Sequence, residues 1–410
     1  MSKEELRKME RLALVARAFS PAAPVNSVEL FAYRDAQVRK CVGTAFQRGR
    51  HIALYGERGV GKTSLANVLP MIMDGTVSGL DMRGVRIDCN SQDDFPALWR
   101  KIFEELGLSV DGDHPKHRDP EDIRRSLQSL HGTTLIVLDE LDRFDDDEGL
   151  SLLADTIKTL SDHSVDATIM IVGVADSLVA LLGEHESVVR SLVQIQMPRM
   201  SDAELRDTLK RGLATAQMSM EDEAKDKIVR ISEGLPHFTH LLGQASCERS
   251  VFDDRTNVSL SDIHAAMEEA VFDAHSYKAE YDLATASPQP THLYEEVLLA
   301  CAYASRDELG FFRAADVRGP LAIILGREVP MSGFQRHLSE FSGDSRGHVL
   351  HRSGEERRFR FRFKNPLLQP YAKIRAVSTG LIAPDQERGL EALRDPTGRL
   401  RGTIEPEQLF

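Results

Sequence analysis

The sequence is short of the features that mark out several whole classes of protein. Its four cysteines, Cys41, Cys89, Cys247 and Cys301, lie dozens of positions apart, with no CxxC and no histidine at metal-ligand spacing. That excludes a disulfide framework and a zinc site and predicts four reduced thiols. Long apolar runs are lacking too: LIVL at 135–138 and IMIVGVA at 169–175 fall well short of the roughly 18 residues a membrane span needs. No membrane partner is expected. The opening MSKEELRKMERL mixes both charge signs from its third residue and contains no apolar core. It does not read as a secretory signal, so a cytoplasmic location is expected. What is present is ordinary for a folded protein. With 41% hydrophobic and 28% charged residues over 410 positions, the chain is neither collagen-like nor disordered, and its length predicts two to four domains. No internal repeat is visible.

The net charge of −13 argues by itself against a nucleic-acid partner, because DNA affinity rests on neutralised phosphates. The charge is segregated, however. Residues 346–375 hold nine basic side chains against two acidic ones, a local +7, which leaves −20 for the remainder.

Residues 3–18 read as an amphipathic helix ended by FSPAAP at 19–24, and a second helix spans about 34–48. Short apolar strands then alternate with helices. The strands are HIALY at 51–55, VRIDC at 85–89, TLIVLD at 134–139, TIMIVGVA at 168–175 and VQIQM at 193–197; helices fall near 62–72, 94–107, 120–130 and 149–162. Near-continuously apolar strands alternating with helices predict a parallel sheet covered on both faces. After VQIQM the pattern becomes all-helical. Ser201 and Glu204 form a capping-box pattern, and helices follow near 220–233, 236–249 and 260–273. The stretch 275–291, ending ATASPQPTH, reads as a linker. A third unit places helices near 313–325 and 331–341 before two strands, HVLHR at 348–352 and RRFRFRFK at 357–364, joined by SGEE. Helices followed by a hairpin suggest a winged helix. The expected segments are an N-terminal arm (1–24), an α/β core (25–200), a helical lid (201–274), a linker (275–291), a winged helix (292–375) and a weakly periodic tail (376–410).

GERGVGKTS at 56–64 fits GxxxxGK[ST] between a strand and a helix, the context in which that motif forms a phosphate loop. Gly56, Gly59 and Gly61, with Val60 between them, let backbone amides wrap phosphates, and the following helix start, including Ser64, adds its dipole. Lys62 is expected to hold the β- and γ-phosphates of ATP, and Thr63 to bind Mg2+. TLIVLDELD at 134–142 supplies the second half. Asp139 is expected to position the magnesium, and Glu140 to act as the base that orients the attacking water. The acidic run at 142–149 fits no calcium loop and reads as solvated, as do His114 and His117.

By these residues the sequence resembles an AAA+ ATPase. PVNSVELFAYRDAQVRKCVGTAFQRGRHIALYGERGVGKTS, followed in order by VRIDCNSQDDFPALWRKIFEEL, LDELD and IVGVADS, resembles the origin-recognition and cell-division-cycle replication initiators over roughly residues 24–370. The resemblance implies an α/β fold: a five-stranded parallel P-loop sheet with a helical lid and a C-terminal winged helix. It places Asp176 where a polar sensor, usually Asn, contacts the γ-phosphate; a helix N-cap is the other reading. It places Arg190 where an arginine serves a neighbouring subunit's ATP in a homo-oligomer; a plain surface arginine is the other. GLPHFTHLLG at 234–243 puts His237 where a second sensor arginine is usual, while Pro236 resembles the nucleotide-contacting proline of multidomain signal-transduction NTPases. Replacing a permanent cation by histidine implies slow, switch-like hydrolysis.

In RRFRFRFK, Phe359, Phe361 and Phe363 share one strand face while Arg358, Arg360, Arg362 and Lys364 share the other. With Arg352 and Arg357, and Arg336 on the preceding helix, these are the candidate contacts to double-stranded DNA. A solvated face or a protein contact is the competing reading. Three functions follow: an ATP-dependent switch for DNA binding or partner assembly, a signalling or defence ATPase whose winged helix docks an effector protein, and a loader for transposition or replication.

Overall fold

A computed structural model describes residues 2–32, 34–76, 81–108, 119–173, 188, 190–273, 275–287, 292–355 and 358–393. The chain divides into two compact units, Ala23–Pro198 and Met1–Ala22 with Arg199–Phe410. The first helix, α1 (Lys3–Ala18), belongs to the second of these.

Within Ala23–Pro198 the order is α2 (Asp35–Ala45), β1 (His51–Tyr55), α3 (Lys62–Thr76), β2 (Met82–Asp88), α4 (Phe95–Glu105), α5 (Pro120–Gln128), β3 (Thr133–Asp139), α6 (Asp147–Asp162), β4 (Ala167–Gly173) and β5 (Leu192–Gln196). The five strands form the expected parallel sheet in the order β2-β3-β4-β1-β5. β3 and β4 are buried throughout, as their unbroken apolar sequences require of strands covered on both faces. β2 lies at the edge and alternates, with Val85 and Ile87 buried. Asp94 and Asp119 cap α4 and α5, accepting from the amides of Ala97 (2.8 Å) and of Glu121 and Asp122 (both 2.9 Å). α4 turns Phe95, Leu98, Trp99, Ile102 and Phe103 into the core with Ile136, Leu138 and Ile169. Because every strand is parallel, the loops after β1 and β3 emerge at the same, carboxyl, edge, where ligands of such sheets bind.

The second unit adds α7 (Asp202–Ala216), β6 (Ser219–Met220), α8 (Asp222–Ser232), α9 (Pro236–Phe252), β7 (Asn257–Val258), α10 (Leu260–Asp273), α11 (His275–Thr285), α12 (Tyr294–Tyr303), β8 (Phe312–Arg313), α13 (Ala314–Leu325), α14 (Gln335–Phe341), β9 (Leu350–Ser353), β10 (Arg360–Phe363), α15 (Leu368–Ser378) and α16 (Pro384–Ala392). The Ser201–Glu204 capping box starts α7. Phe19, at the end of α1, wedges against Gly212 of α7 and Gly243 of α9; a Cβ at either would come within 2.4 or 2.7 Å of the ring. β8, β10 and β9 form an antiparallel sheet in that order.

Three expectations change here. The helical stretch after residue 201 contains a two-stranded parallel pair, Ser219–Met220 with Asn257–Val258, too short to leave a periodic signal. The supposed linker is helical over His275–Thr285: the breakers cluster only after Thr285, and Tyr281 and Ala284 are buried. The supposed tail is likewise helical up to Ala392, because Leu390 is buried and Glu387 pairs with Lys227. Among the described residues no helix is long and apolar enough to cross a membrane.

Candidate nucleotide and nucleic-acid sites

The phosphate loop follows β1 directly. Gly59 (φ 85°) and Gly61 (φ 95°) adopt the left-handed conformations that side chains resist, and a Cβ on Gly56 would meet the Met197 carbonyl oxygen at 2.3 Å. The amide of Leu65 already donates to the Gly61 carbonyl (3.0 Å), so α3 begins inside the loop and presents its free amides there. Lys62 turns its Nζ onto the carbonyls of Gly56 (3.1 Å) and Glu57 (2.8 Å). Burial holds its pKa down to about 8, against the opposing pull of Asp139, Asp142 and Glu57.

Two contacts brace the loop from outside it. Arg34, 1% exposed, donates from Nη2 to the carbonyl of the buried Val60 (2.9 Å). Ser64 does not present its hydroxyl as a free group: its Oγ accepts from the amide of Val25 (3.1 Å), tying the incoming segment to α3.

Asp139 ends β3 with its carboxylate buried. Its Oδ1 accepts from the Glu140 amide (2.9 Å), and its Oδ2 accepts from Arg86 of β2 at 3.0 Å (Nη2) and 3.3 Å (Nε). Arg86 also pairs with Asp88, which stands opposite Asp139 in the β2–β3 register. Glu140 takes a left-handed conformation (φ 53°), which turns the chain sharply after the strand. Its exposed carboxylate pairs with Arg143 at 2.8 Å. The Thr63 hydroxyl and the Asp139 carboxylate are hard oxygen donors, the chemistry that suits Mg2+.

Sequence reasoning passed over Arg86, Arg34 and Arg143. Arg86 did leave a signal: it stands in a strand two positions before an aspartate, so both side chains fall on one face. Arg34 left none, since its role depends on a carbonyl 26 residues away.

The sensor candidates are placed unevenly. Asp176 lies outside the described residues. Arg190 is exposed, and its side chain has no hydrogen bond or ion pair among the described residues; its carbonyl accepts from Arg50 Nη1 (2.6 Å). Pro236 and His237 belong to the second unit, where Pro236 opens α9. His237 donates from Nδ1 to the Pro21 carbonyl (2.8 Å), and burial lowers its pKa. A neutral ring fixed in this way supplies no permanent cation.

The basic hairpin differs from an alternating stripe. The strand is limited to Arg360–Phe363, with Phe361 and Phe363 buried, and Phe359 stays outside it under the Arg352 guanidinium (4.6 Å). Arg360 pairs with Asp307 (3.3 Å) and lies over Phe311 (4.9 Å), as does Arg362 (4.8 Å). Arg336 pairs with Glu340 (2.7 Å). Arg358 and Lys364 are exposed and have no ion pair among the described residues. Arg357 lies outside the described residues. The arginines expected to form a free stripe are therefore largely engaged with neighbours, because β8 brings Phe311 and Asp307 beside them.

The parallel sheet, the glycine loop wrapped before α3 and the acidic end of β3 together define the P-loop AAA+ class of fold. Comparison with known proteins agrees: residues 45–182 match the family model of an AAA domain. Among solved structures, the ORC2 protein of Aeropyrum pernix, determined as ADPNP-ADP complexes, superposes with a TM-score of 0.53 at 14% identity, covering 89% of this chain and 97% of that one. A Walker-type ATPase of Pyrococcus abyssi gives 0.50 at 18% identity, covering 86% and 99%. No curated protein matches by sequence.

Proposed function

We propose that this chain is an ATP-binding switch that hydrolyses ATP slowly and couples nucleotide state to binding of double-stranded DNA or assembly with a partner. The reading rests on one observation: the wrapped loop from Gly56 to Thr63, with Lys62 turned into it, and the Asp139–Glu140 pair share the carboxyl edge of one sheet. The ADPNP-ADP complexes of the Aeropyrum protein, which has this fold, support a nucleotide ligand.

Backbone amides of the loop and Lys62 bind the phosphates. Thr63 and Asp139 would hold Mg2+, which when bound neutralises phosphate charge. Glu140 orients water and accepts its proton, for which it must leave Arg143. Arg190, exposed and without an ion pair among the described residues, suits a site completed by a second copy of the chain.

We read residues 292–375 as a winged helix, from the order helix, strand, helix, helix, strand, strand. Its exposed Arg358, Lys364 and Arg352 suit a phosphate backbone. The engagement of Arg360 with Asp307 and Phe311, and of Arg362 with Phe311, favours a second reading, in which this unit docks an effector protein.

The test is fluorescence anisotropy with duplex DNA, using Glu140→Gln with ATP and the native chain with ADP across a salt titration. ATP-dependent binding that weakens with salt supports the DNA reading. Binding no tighter than to a generic acidic polymer in either state sinks it and turns the search to a protein partner.

A further inference from the structure

Asp139 is a carboxylate with 3% of its side chain exposed, and a buried anion without a counter-charge costs several kcal/mol. Arg86 supplies that charge. Among the described residues it is the one cation in ion-pair contact with Asp139, holding Oδ2 through two nitrogens. The same Nη2 also touches Asp88, whose side chain is 63% exposed and stands directly across from Asp139 on the neighbouring strand. Parallel strands lie about 4.8 Å apart, so one guanidinium can shift its weight between the two carboxylates by a small rotation.

Resting on the ATPase reading above, we propose that Arg86 is a positioning residue that competes with magnesium for Asp139 and so sets the magnesium requirement for nucleotide binding, with Asp88 as its alternative seat. A cation seated on Oδ2 repels a second cation approaching the same carboxylate. Asp88 offsets this by drawing the guanidinium aside without removing it. The arrangement also keeps Asp139 in register whatever the metal concentration, because Arg86 ties the end of β2 to the end of β3.

The experiment titrates Mg2+ against the fluorescence of a mant-ATP analogue bound to the full chain, so that no turnover is read. Arg86→Gln is expected to lower the half-saturating Mg2+ by about 3- to 10-fold. Asp88→Asn is expected to raise it, because Arg86 then rests on Asp139 alone. Arg86→Lys, which keeps the charge, is expected to return most of the native requirement. Arg143→Gln removes a cation that pairs with Glu140 and not with Asp139, so it is expected to shift the requirement less than Arg86→Gln does. An Arg86→Gln requirement equal to or above the native one overturns the proposal, as does an Asp88→Asn requirement below it. A native chain that binds no mant-ATP at any Mg2+ level overturns the ATPase reading, and this proposal with it.

Discussion

Glu233 and Lys373 form a buried ion pair within the second unit, their side chains 2% and 5% exposed. Glu233 also accepts from Arg306, which is 12% exposed. Glu233 follows α8 in a left-handed conformation, immediately before the Gly234-Leu235-Pro236 turn into α9. The turn that resembles a nucleotide sensor is thus fixed to α15 and to Arg306, three positions past α12. Lys373 gains a further neighbour in the Tyr303 ring, 3.8 Å from its Nζ.

This cluster is asymmetric, and the asymmetry is measurable. Replacing Glu233 by Gln removes the carboxylate that these two cations share and is expected to cost about 3–5 kcal/mol. Lys373→Met leaves Glu233 still paired with Arg306 and is expected to cost less than half as much. Thermal unfolding of the two variants checks the order; equal losses would show that Arg306 does not hold the carboxylate.

Glu140→Gln is expected to leave ATP affinity within about threefold of native, since among the described residues its carboxylate pairs with Arg143 and not with the loop, and to reduce steady-state hydrolysis by about 10²-fold or more. Phosphate release and mant-ATP binding, measured on one preparation, separate the two effects. Loss of binding in parallel with hydrolysis would place Glu140 in the phosphate cradle instead.

For duplex DNA, Arg358→Ala and Lys364→Ala are each expected to reduce the salt slope by about 1, the signature of one lost phosphate contact. Arg360→Ala is expected to reduce it less and to lower thermal stability as well, because this guanidinium already pairs with Asp307 and covers Phe311. Anisotropy across a salt series reads the slopes.

Two buried histidines make stability depend on pH. His240 accepts from the Ser20 amide at Nδ1 (3.3 Å), and His51 accepts from the Ile169 amide at Nδ1 (2.9 Å); burial pushes both pKa values down to about 4. The unfolded chain, at about 6.5, therefore binds more protons than the folded one between these values. The stability these neutral rings permit is fully present above pH 6.5 and is lost as pH falls toward 4, on the order of 3 kcal/mol for each. Denaturant unfolding between pH 7 and 4.5 measures the slope, and His240→Gln is expected to flatten it.

The α/β core was legible because its signals are local. Five apolar runs between helical periods dictate a covered parallel sheet, and glycine spacing with a strand before it and a helix after it dictates a phosphate loop. The same holds for Asp139 and Glu140, which are placed simply by ending a strand. The second unit was less legible where short strands or late helices draw their stability from distant partners: Ser219–Met220 needs Asn257–Val258, and Pro384–Ala392 needs Lys227 of α8.

By itself, the sequence determined the class of fold, the phosphate loop and the identity of the acidic pair, since each depends on residues a few positions apart. Only the tertiary structure decided what those residues touch. Arg86 reaches Asp139, 53 residues further along the chain, because β2 and β3 pair in parallel with Asp88 opposite Asp139. Arg360 and Arg362 lie over Phe311 because β8 pairs with β10 and brings the residue just before it alongside. Contacts of this kind depend on register and strand order, which no local pattern encodes.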